Sequence, residues 1–141
     1  MKILFLDATV SLLARYPVKL LNELKNNYTK SIFISYKTGY DDSNEKKTSI
    51  ELLKSNKSFY YLECNTKNPK YITRTLKRIK PNIVIFGGYR APDMLWLAIC
   101  NKLDIKTIIL QHGFDIEHIN RSKYSLLSNF KKNYDYCITI Y

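Results

Sequence analysis

The residues best suited to chemistry follow an apolar run in the last third of the chain. Thr107–Leu110 is a mostly apolar run of high β propensity, and Gln111, His112 and Gly113 come directly after it. A continuous apolar run bounded by turn residues is typical of a strand buried on both faces. In open parallel α/β sheets, ligands bind beyond the carboxyl ends of the strands. We therefore predict that His112 is catalytic, because an imidazole there can donate or accept a hydrogen bond.

Gly113 and Asp115 follow His112, and we predict that both contact the substrate. The alternative for His112 is a structural one, in which the imidazole fixes the loop by bonding to backbone carbonyls. Asp115 could equally be a loop or cap residue. His118 is better explained as a surface residue.

A second candidate loop follows the predicted strand Ile83–Phe86. Gly87 and Gly88 open this loop, and glycine lets the backbone turn sharply or approach a ligand closely. Tyr89 and Arg90 come next, and an aromatic ring with a guanidinium suits a sugar ring or a phosphate. We predict that all four residues contact substrate, with a plain exposed loop as the alternative.

The third candidate loop, Asp7 to Ser11, follows the first predicted strand, Ile3 to Leu6. The Thr9 and Ser11 hydroxyls could bond to sugar hydroxyls or to phosphate, and local turn bonding is the alternative. Asp7 could act as an acid or base, although a carboxylate that caps the loop is the simpler interpretation.

Several common sites of α/β folds are missing from the sequence. There is no Gly-x-x-x-x-Gly-Lys-Ser/Thr loop, no glycine in the first loop for a dinucleotide, and no Gly-x-Ser-x-Gly elbow. The three cysteines, Cys64, Cys100 and Cys137, are dispersed and form no cluster with histidine, so we predict no metal site. We also predict no cofactor.

Apolar runs and helical periods alternate along the chain. Six strands are predicted, over Ile3–Leu6, Ser31–Tyr36, Ser58–Glu63, Ile83–Phe86, Thr107–Leu110 and Asp135–Ile140. Helices are predicted between them, from Pro17 to about Asn27, from the Thr48-x-x-Glu51 capping box, from Asn68-Pro69 to Pro81, over 91–103 and over 122–133. This alternation predicts an α/β fold: a single Rossmann-like open sheet of about six mostly parallel strands with helices on both faces, forming one domain over residues 1–141.

The chain is strongly basic, with 23 Lys and Arg against 12 Asp and Glu and a net charge of +11. This balance favours an anionic partner: a nucleic acid, a phosphorylated ligand or an anionic lipid surface. The helix from Pro69 should carry Lys70, Arg74 and Lys77 opposite its apolar stripe, and we predict that these three form a membrane patch. A solvated helix face is the alternative. No apolar run approaches the ~20 residues of a membrane span.

Three stretches resemble one enzyme family. Lys80–Gly88 resembles the "K-P-D-hydrophobic-V-hydrophobic" strand in the amino-terminal domains of GT-B glycosyltransferases. Leu103–Asp115 is similar to their "G-I-P … H-G-x-D" stretch, and Tyr134–Ile140 is similar to their "A-D-x-I-I-x-V-S" strand. Together the three stretches follow the family's order and spacing along nearly the whole chain. The first loop departs from the family, which often carries Gly-Gly there.

The resemblance implies the acceptor-side domain of an enzyme that transfers sugar from a nucleotide-sugar, in surface polysaccharide biosynthesis. In retaining members the histidine that matches His112 contacts the donor sugar. The family's donor site lies in a carboxyl-terminal domain with no counterpart in these 141 residues, so we expect the isolated chain to be inactive. The implied partners are a nucleotide-sugar donor, a glycan or lipid-linked acceptor, a separate donor-domain chain and an anionic membrane. The implied location is cytoplasmic, peripheral at the inner face of the membrane.

Two other interpretations stay open. One is a nucleotide-sugar epimerase or polyol-phosphate transferase of the same fold. The other is a non-catalytic basic Rossmann-like binding module. Its 13% aromatic content and 23 cationic residues could bind nucleic acid, by stacking on bases and by contacting phosphates. The sequence carries no recognised nucleic-acid-binding motif.

Overall fold

One parallel sheet organises the part of the chain that the computed structural model describes, namely residues 1–14, 18, 30–36, 42–64, 68–87, 91–112 and 136–140. All neighbouring strands are parallel, and their spatial order is β3-β2-β1-β4-β5-β6. The strands are β1 (Lys2–Asp7), β2 (Lys30–Tyr36), β3 (Phe59–Cys64), β4 (Ile83–Phe86), β5 (Lys106–His112) and β6 (Tyr136–Ile140). The helices are α1 (Ser43–Ser55), α2 (Pro69–Ile79) and α3 (Ala91–Lys102), and residues 10–14 are also helical.

Helices cover both faces of the sheet, and the alternation of side chains along the strands creates two cores. On one face, Leu4 and Leu6 of β1 pack in a cluster with residues of α2 and α3 such as Leu76 and Trp96. On the other face, Ile3 and Phe5 belong to a cluster that includes Val10, Leu13, Phe33 and the α1 residue Leu53. The rings of Phe5 and Phe33 stack there with centroids 5.3 Å apart. The predicted α/β class, with an open parallel sheet and helices on both faces, is confirmed.

The limits of α2 match the sequence prediction because its capping residues are strong. The Asn68 side chain accepts hydrogen bonds from the backbone N–H groups of Lys70 and Tyr71, at 3.0 and 3.3 Å. Pro69 occupies the first turn, where its missing N–H costs nothing. At the other end Lys80 adopts a left-handed conformation with φ of 52° and donates to the Leu76 carbonyl at 2.8 Å. Pro81 then prevents continuation.

The predicted start of α1 at a Thr48-x-x-Glu51 capping box is wrong. The helix begins at Ser43, and the Asp42 side chain accepts from the Asn44 N–H at 2.8 Å as the N-cap. Thr48 lies inside the helix, where its hydroxyl donates to the Asn44 carbonyl at 3.1 Å. The first turn was missed because its residues are polar and mostly exposed, so an amphipathic period does not mark it.

The first loop and the end of β5 also differ from the prediction. The predicted loop from Asp7 to Ser11 ends earlier, because residues from 10 onward are helical. β5 continues two residues beyond Leu110, because Gln111 and His112 stay in register with Thr139 and Ile140 of β6. Apart from residue 18, which is helical, the predicted helices over 17–27 and 122–133 lie outside the described residues, as does the loop at 37–41. Among the described helices, none combines the length and apolarity that a membrane crossing requires.

Candidate functional site

The strand order creates a switch point between β1 and β4. From β1 the chain proceeds outward to β2 and β3 on one side, and it then returns to β4 and β5 on the other. The connections therefore leave β1 and β4 in opposite directions, which opens a crevice beyond their carboxyl ends. The residues described at this edge are Asp7 at the end of β1, Ala8 and Thr9 after it, and Gly87 after β4. The two strands are tied together there by a bond from the Gly87 N–H to the Leu6 carbonyl, at 2.8 Å.

Asp7 and Gly87 are in direct contact at the switch point. The Asp7 side chain is only 4% exposed, and its Oδ1 accepts a hydrogen bond from the Ala8 N–H at 2.6 Å. A Cβ atom built on Gly87 would overlap the Asp7 carboxylate. Glycine is therefore required at position 87 to accommodate the aspartate, which is a packing reason that sequence inspection alone did not supply. Substrate contact by Gly87 stays a prediction.

The Thr9 and Ser11 hydroxyls take part in the start of the first helix. The Leu12 N–H donates to Thr9 Oγ1 at 3.4 Å, as expected for a residue that caps a helix N-terminus. The Ser11 hydroxyl donates to the same Thr9 oxygen at 3.3 Å, and Ser11 is buried. This geometry corresponds to the local-bonding alternative, while substrate contact by either residue stays a prediction.

His112 is the last residue of β5, at the same carboxyl edge as Asp7 and Gly87. Phe86 of β4 is in register with Ile109 of β5, so Gly87 is level with Leu110. Two residues at ~3.3 Å each then place the His112 backbone roughly 7 Å beyond that level. β5 therefore extends further than β4 at the carboxyl edge of the sheet, and His112 is at the end of this extension. The other predicted contact residues, Gly88, Tyr89, Arg90, Gly113 and Asp115, lie outside the described residues.

The basic face predicted on α2 is present. Lys70, Arg74 and Lys77 are exposed, whereas Ile72 and Leu76 are buried beneath the helix. Arg78 and the C-cap residue Lys80 are also exposed, and no acidic residue occurs in α2. The helix thus presents an unbroken cationic surface. Its use as a membrane patch stays a prediction.

The thiols of Cys64 and Cys100 are unsuited to nucleophilic chemistry. Burial raises the pKa of the Cys64 thiol to about 11 and that of the Cys100 thiol to about 12. Both groups are therefore protonated near neutral pH and are poor nucleophiles. Within the described part of the chain, no three His, Cys, Asp or Glu residues come together as a metal site.

The structure also reveals two exposed residues that the sequence analysis did not single out. Tyr60 and Leu62 of β3 are 52% and 38% exposed. They lie two residues apart and thus on one face of the sheet. Their strand was predicted, but its edge position was not, and that position depends on the order of all six strands.

No protein-family model matches the chain, and no curated protein sequence matches it. Solved structures do match. MurG of Acinetobacter baumannii superposes with a TM-score of 0.62 at 11% identity, over 99% of this chain and 41% of MurG. The UDP-GlcNAc 2-epimerase of Methanocaldococcus jannaschii gives 0.59 at 18% identity, over 100% of this chain and 40% of the epimerase. WbmG of Bordetella bronchiseptica, determined in complex with NAD, gives 0.56 at 12% identity, over 80% and 38%.

The chain therefore spans about two-fifths of the length of the proteins that it resembles. At these identities the likeness concerns the fold. It supports the predicted resemblance at that level: the chain has the Rossmann-like fold that also occurs in MurG, a GT-B glycosyltransferase, and in nucleotide-sugar epimerases.

Proposed function

We propose that this chain is the acceptor-side domain of a glycosyltransferase that transfers sugar from a nucleotide-sugar in surface polysaccharide biosynthesis. The observation that carries the proposal is the match to MurG, which includes 99% of this chain and thus extends through both ends of the sheet. The order of the three resembling stretches along the chain supports the same assignment. In this proposal the donor nucleotide is held by a second domain, and His112 orients the donor sugar.

The chemistry of the switch point supports an acceptor role over a nucleotide role. A pyrophosphate at this position is normally held by a glycine-rich first turn, and residues 7–11 contain no glycine. Asp7 instead places a carboxylate next to the crevice, against Gly87. The negative charge of this buried carboxylate repels a phosphate group but not an uncharged sugar. A glycan acceptor therefore suits this edge better than a nucleotide diphosphate does.

A nucleotide-sugar epimerase is the second candidate. It is favoured by the match to the UDP-GlcNAc 2-epimerase, which includes 100% of this chain. An epimerase that binds NAD at this edge is less well supported, because the match to the NAD complex of WbmG includes 80% of the chain and the first loop lacks the glycines that a dinucleotide needs. No described feature favours a polyol-phosphate transferase or a nucleic-acid-binding module.

The basic face of α2 supports a location of the proposed enzyme at an anionic membrane surface. We propose that Lys70, Arg74 and Lys77 hold the domain against anionic lipid, where a lipid-linked acceptor would be found. Each cation near such a surface contributes roughly 1 kcal/mol, screened within a Debye length. Attachment of this kind is reversible and sensitive to salt.

Two measurements on the purified chain test the proposed function. In the first, a panel of nucleotide-sugars is incubated with a mixture of short oligosaccharides, and release of free nucleotide is followed. We expect no turnover, because catalysis requires both reactants to be positioned together. In the second, saturation-transfer NMR on the oligosaccharides alone should detect binding. Turnover by the isolated chain, or no detectable binding of the oligosaccharides, would contradict the proposal.

A further inference from the structure

The open side of β3 carries an apolar surface that the proposed acceptor site does not use. β3 is the edge strand of the sheet that the structure describes, and it pairs with β2. Its other face is covered, because Phe59 and Tyr61 pack against the core cluster of Phe5 and Phe33. Tyr60 and Leu62 point to the opposite face, where they are 52% and 38% exposed. An exposed aromatic and an exposed leucine at i and i+2 on an edge strand indicate a surface that another chain can cover.

Helix α2 lies on the same face of the sheet as these two residues, because its Ile72 and Leu76 share a core cluster with Cys64 of β3. It crosses from β3 to β4 on the face that carries Leu4 and Leu6. Tyr71 and Arg78 lie a quarter turn around the helix from the buried residues Ile72 and Ile79. In a right-handed crossover this flank faces β3. Tyr71 is 43% exposed, so an aromatic ring on this flank of the helix is also open to solvent. We call Tyr60, Leu62 and Tyr71 the β3 patch.

The charge around the β3 patch has a single sign. All the charged residues of α2 and its cap are exposed cations: Lys70, Arg74, Lys77, Arg78 and Lys80. The acidic residue of β3, Glu63, points to the other face of the sheet and forms an ion pair with Lys46 of α1 at 2.7 Å. An occupant of the patch thus meets apolar groups on the sheet and the exposed cations of α2 along the helix.

We propose that the β3 patch binds an extended, acidic segment of a partner protein. An extended segment that lies along β3 presents every second side chain to Tyr60 and Leu62, and it directs carboxylates toward Arg74 and Arg78. A second copy of this chain fits less well, because each copy carries a net charge of +11 and the two basic helices would approach each other. A bilayer also fits less well, because α2 packs on the face of the sheet that carries Tyr60 and Leu62, and a flat surface would meet the helix before the strand.

The test uses the full 141-residue chain and three fluorescent twelve-residue peptides. The first peptide alternates leucine and glutamate, and the second alternates leucine and lysine. The third, the block peptide, has six leucines followed by six glutamates, so that it has the composition of the first without its alternation. We expect saturable binding of the leucine–glutamate peptide, at least about tenfold weaker binding of the block peptide, and none of the lysine peptide. Equal binding of all three peptides, or no binding of any, would overturn the proposal.

Matched variants locate the binding on the surface. Tyr60→Ser with Leu62→Ser should weaken binding of the leucine–glutamate peptide at least about tenfold, and so should Tyr71→Ser with Arg78→Ser. Leu52→Ser is the control, because Leu52 is similarly exposed, at 46%, but lies on α1. Far-UV circular dichroism and melting curves verify that each variant is folded.

Equal peptide binding by the patch variants and the control would refute the proposal. The same holds if the patch substitutions abolish binding to phosphatidylglycerol vesicles and leave peptide binding unchanged, because the occupant is then a lipid surface.

Discussion

β1 and β3 are strands of equal length in one sheet, but they differ in how they are covered. β1 pairs with β2 and β4, and five of its six residues are buried. β3 pairs with β2, and a single residue of its six, Cys64, is buried. The same strand geometry thus produces two kinds of surface. In the central strand only Lys2, at the amino end, is not buried, whereas the edge strand exposes Tyr60 and Leu62 on one face of the sheet.

This difference separates two tasks within the fold. At the end of β1, the buried Asp7 carboxylate lies directly against Gly87. A substitution at either residue therefore disturbs the packing between β1 and β4. At β3, the side chains of Tyr60 and Leu62 are exposed on one face of the sheet, where a partner can contact them. Substitutions should therefore act through stability near β1 and through association near β3. The following predictions are ordered from the largest expected effect to the smallest.

A matched pair of leucine substitutions tests the difference directly. Leu6 of β1 is 0% exposed, and Leu62 of β3 is 38% exposed. Leu6→Ala should lower the free energy of unfolding by about 2–5 kcal/mol, because it leaves a cavity in the core cluster to which Leu6, Ile34 and Trp96 belong. Leu62→Ala should lower it by less than about 1 kcal/mol, since much of that side chain already contacts water. Urea unfolding monitored by circular dichroism measures both, and equal losses would contradict the assignment of β3 as an open edge.

His112 provides the test on the ligand side of the sheet. In an enzyme that contains this domain together with a donor-binding domain, His112→Ala should lower kcat by about tenfold to a thousandfold if the imidazole stabilises developing charge. The melting temperature should change little. Steady-state kinetics and thermal melting of the same preparations decide the question. A variant that loses stability and retains its activity per folded molecule would identify His112 as a structural residue.

The contact between Asp7 and Gly87 predicts a coupled pair. Gly87→Ala should destabilise the fold by about 1–3 kcal/mol, because the new methyl group overlaps the buried Asp7 carboxylate. In the Asp7→Gly background the same substitution should cost much less, with a coupling energy of about 0.5–3 kcal/mol. A double-mutant cycle in urea measures this coupling. Strictly additive effects would show that the two residues do not constrain each other.

The basic face of α2 should give the smallest single effect. Lys70→Gln should weaken co-sedimentation with phosphatidylglycerol vesicles by about 1 kcal/mol, or roughly fivefold, and high salt should remove the difference. Lys54→Gln is the matched control, because Lys54 is an exposed lysine on α1. The membrane proposal fails if neutral vesicles bind the chain as well as anionic ones do.

The sequence predicted the buried part of the fold better than its open part. The strand Ile83–Phe86 was predicted with its observed limits, because an apolar run between Pro81 and Gly87 has clear boundaries. α2 was also predicted closely, because Asn68, Pro69 and Pro81 mark its ends. The start of α1 was missed, since Asp42 caps a first turn whose residues are largely exposed and carry no apolar period.

The candidate site was predictable as an edge of the sheet, but its contacts were not. Strand alternation places Asp7, Gly87 and His112 at one edge, because parallel strands share a carboxyl end. The contact between Asp7 and Gly87 depends on the pairing of β1 with β4, which are separated in sequence by two strands and their connections. The extension of β5 to His112 similarly depends on its pairing with β6. Local patterns do not encode the register between distant strands.

The central claim is that the crevice between β1 and β4 serves an acceptor and does not hold a nucleotide. The most direct measurement is amide chemical-shift mapping of the isotope-labelled chain during titration with UDP-GlcNAc and, separately, with NAD. We predict no saturable shift change at Asp7, Thr9 or Gly87 when either ligand is added to about 1 mM. At that concentration the titration detects any complex with a binding free energy of about 4 kcal/mol or more. Saturable shifts at those three residues with either ligand would contradict the claim and assign the crevice to a nucleotide.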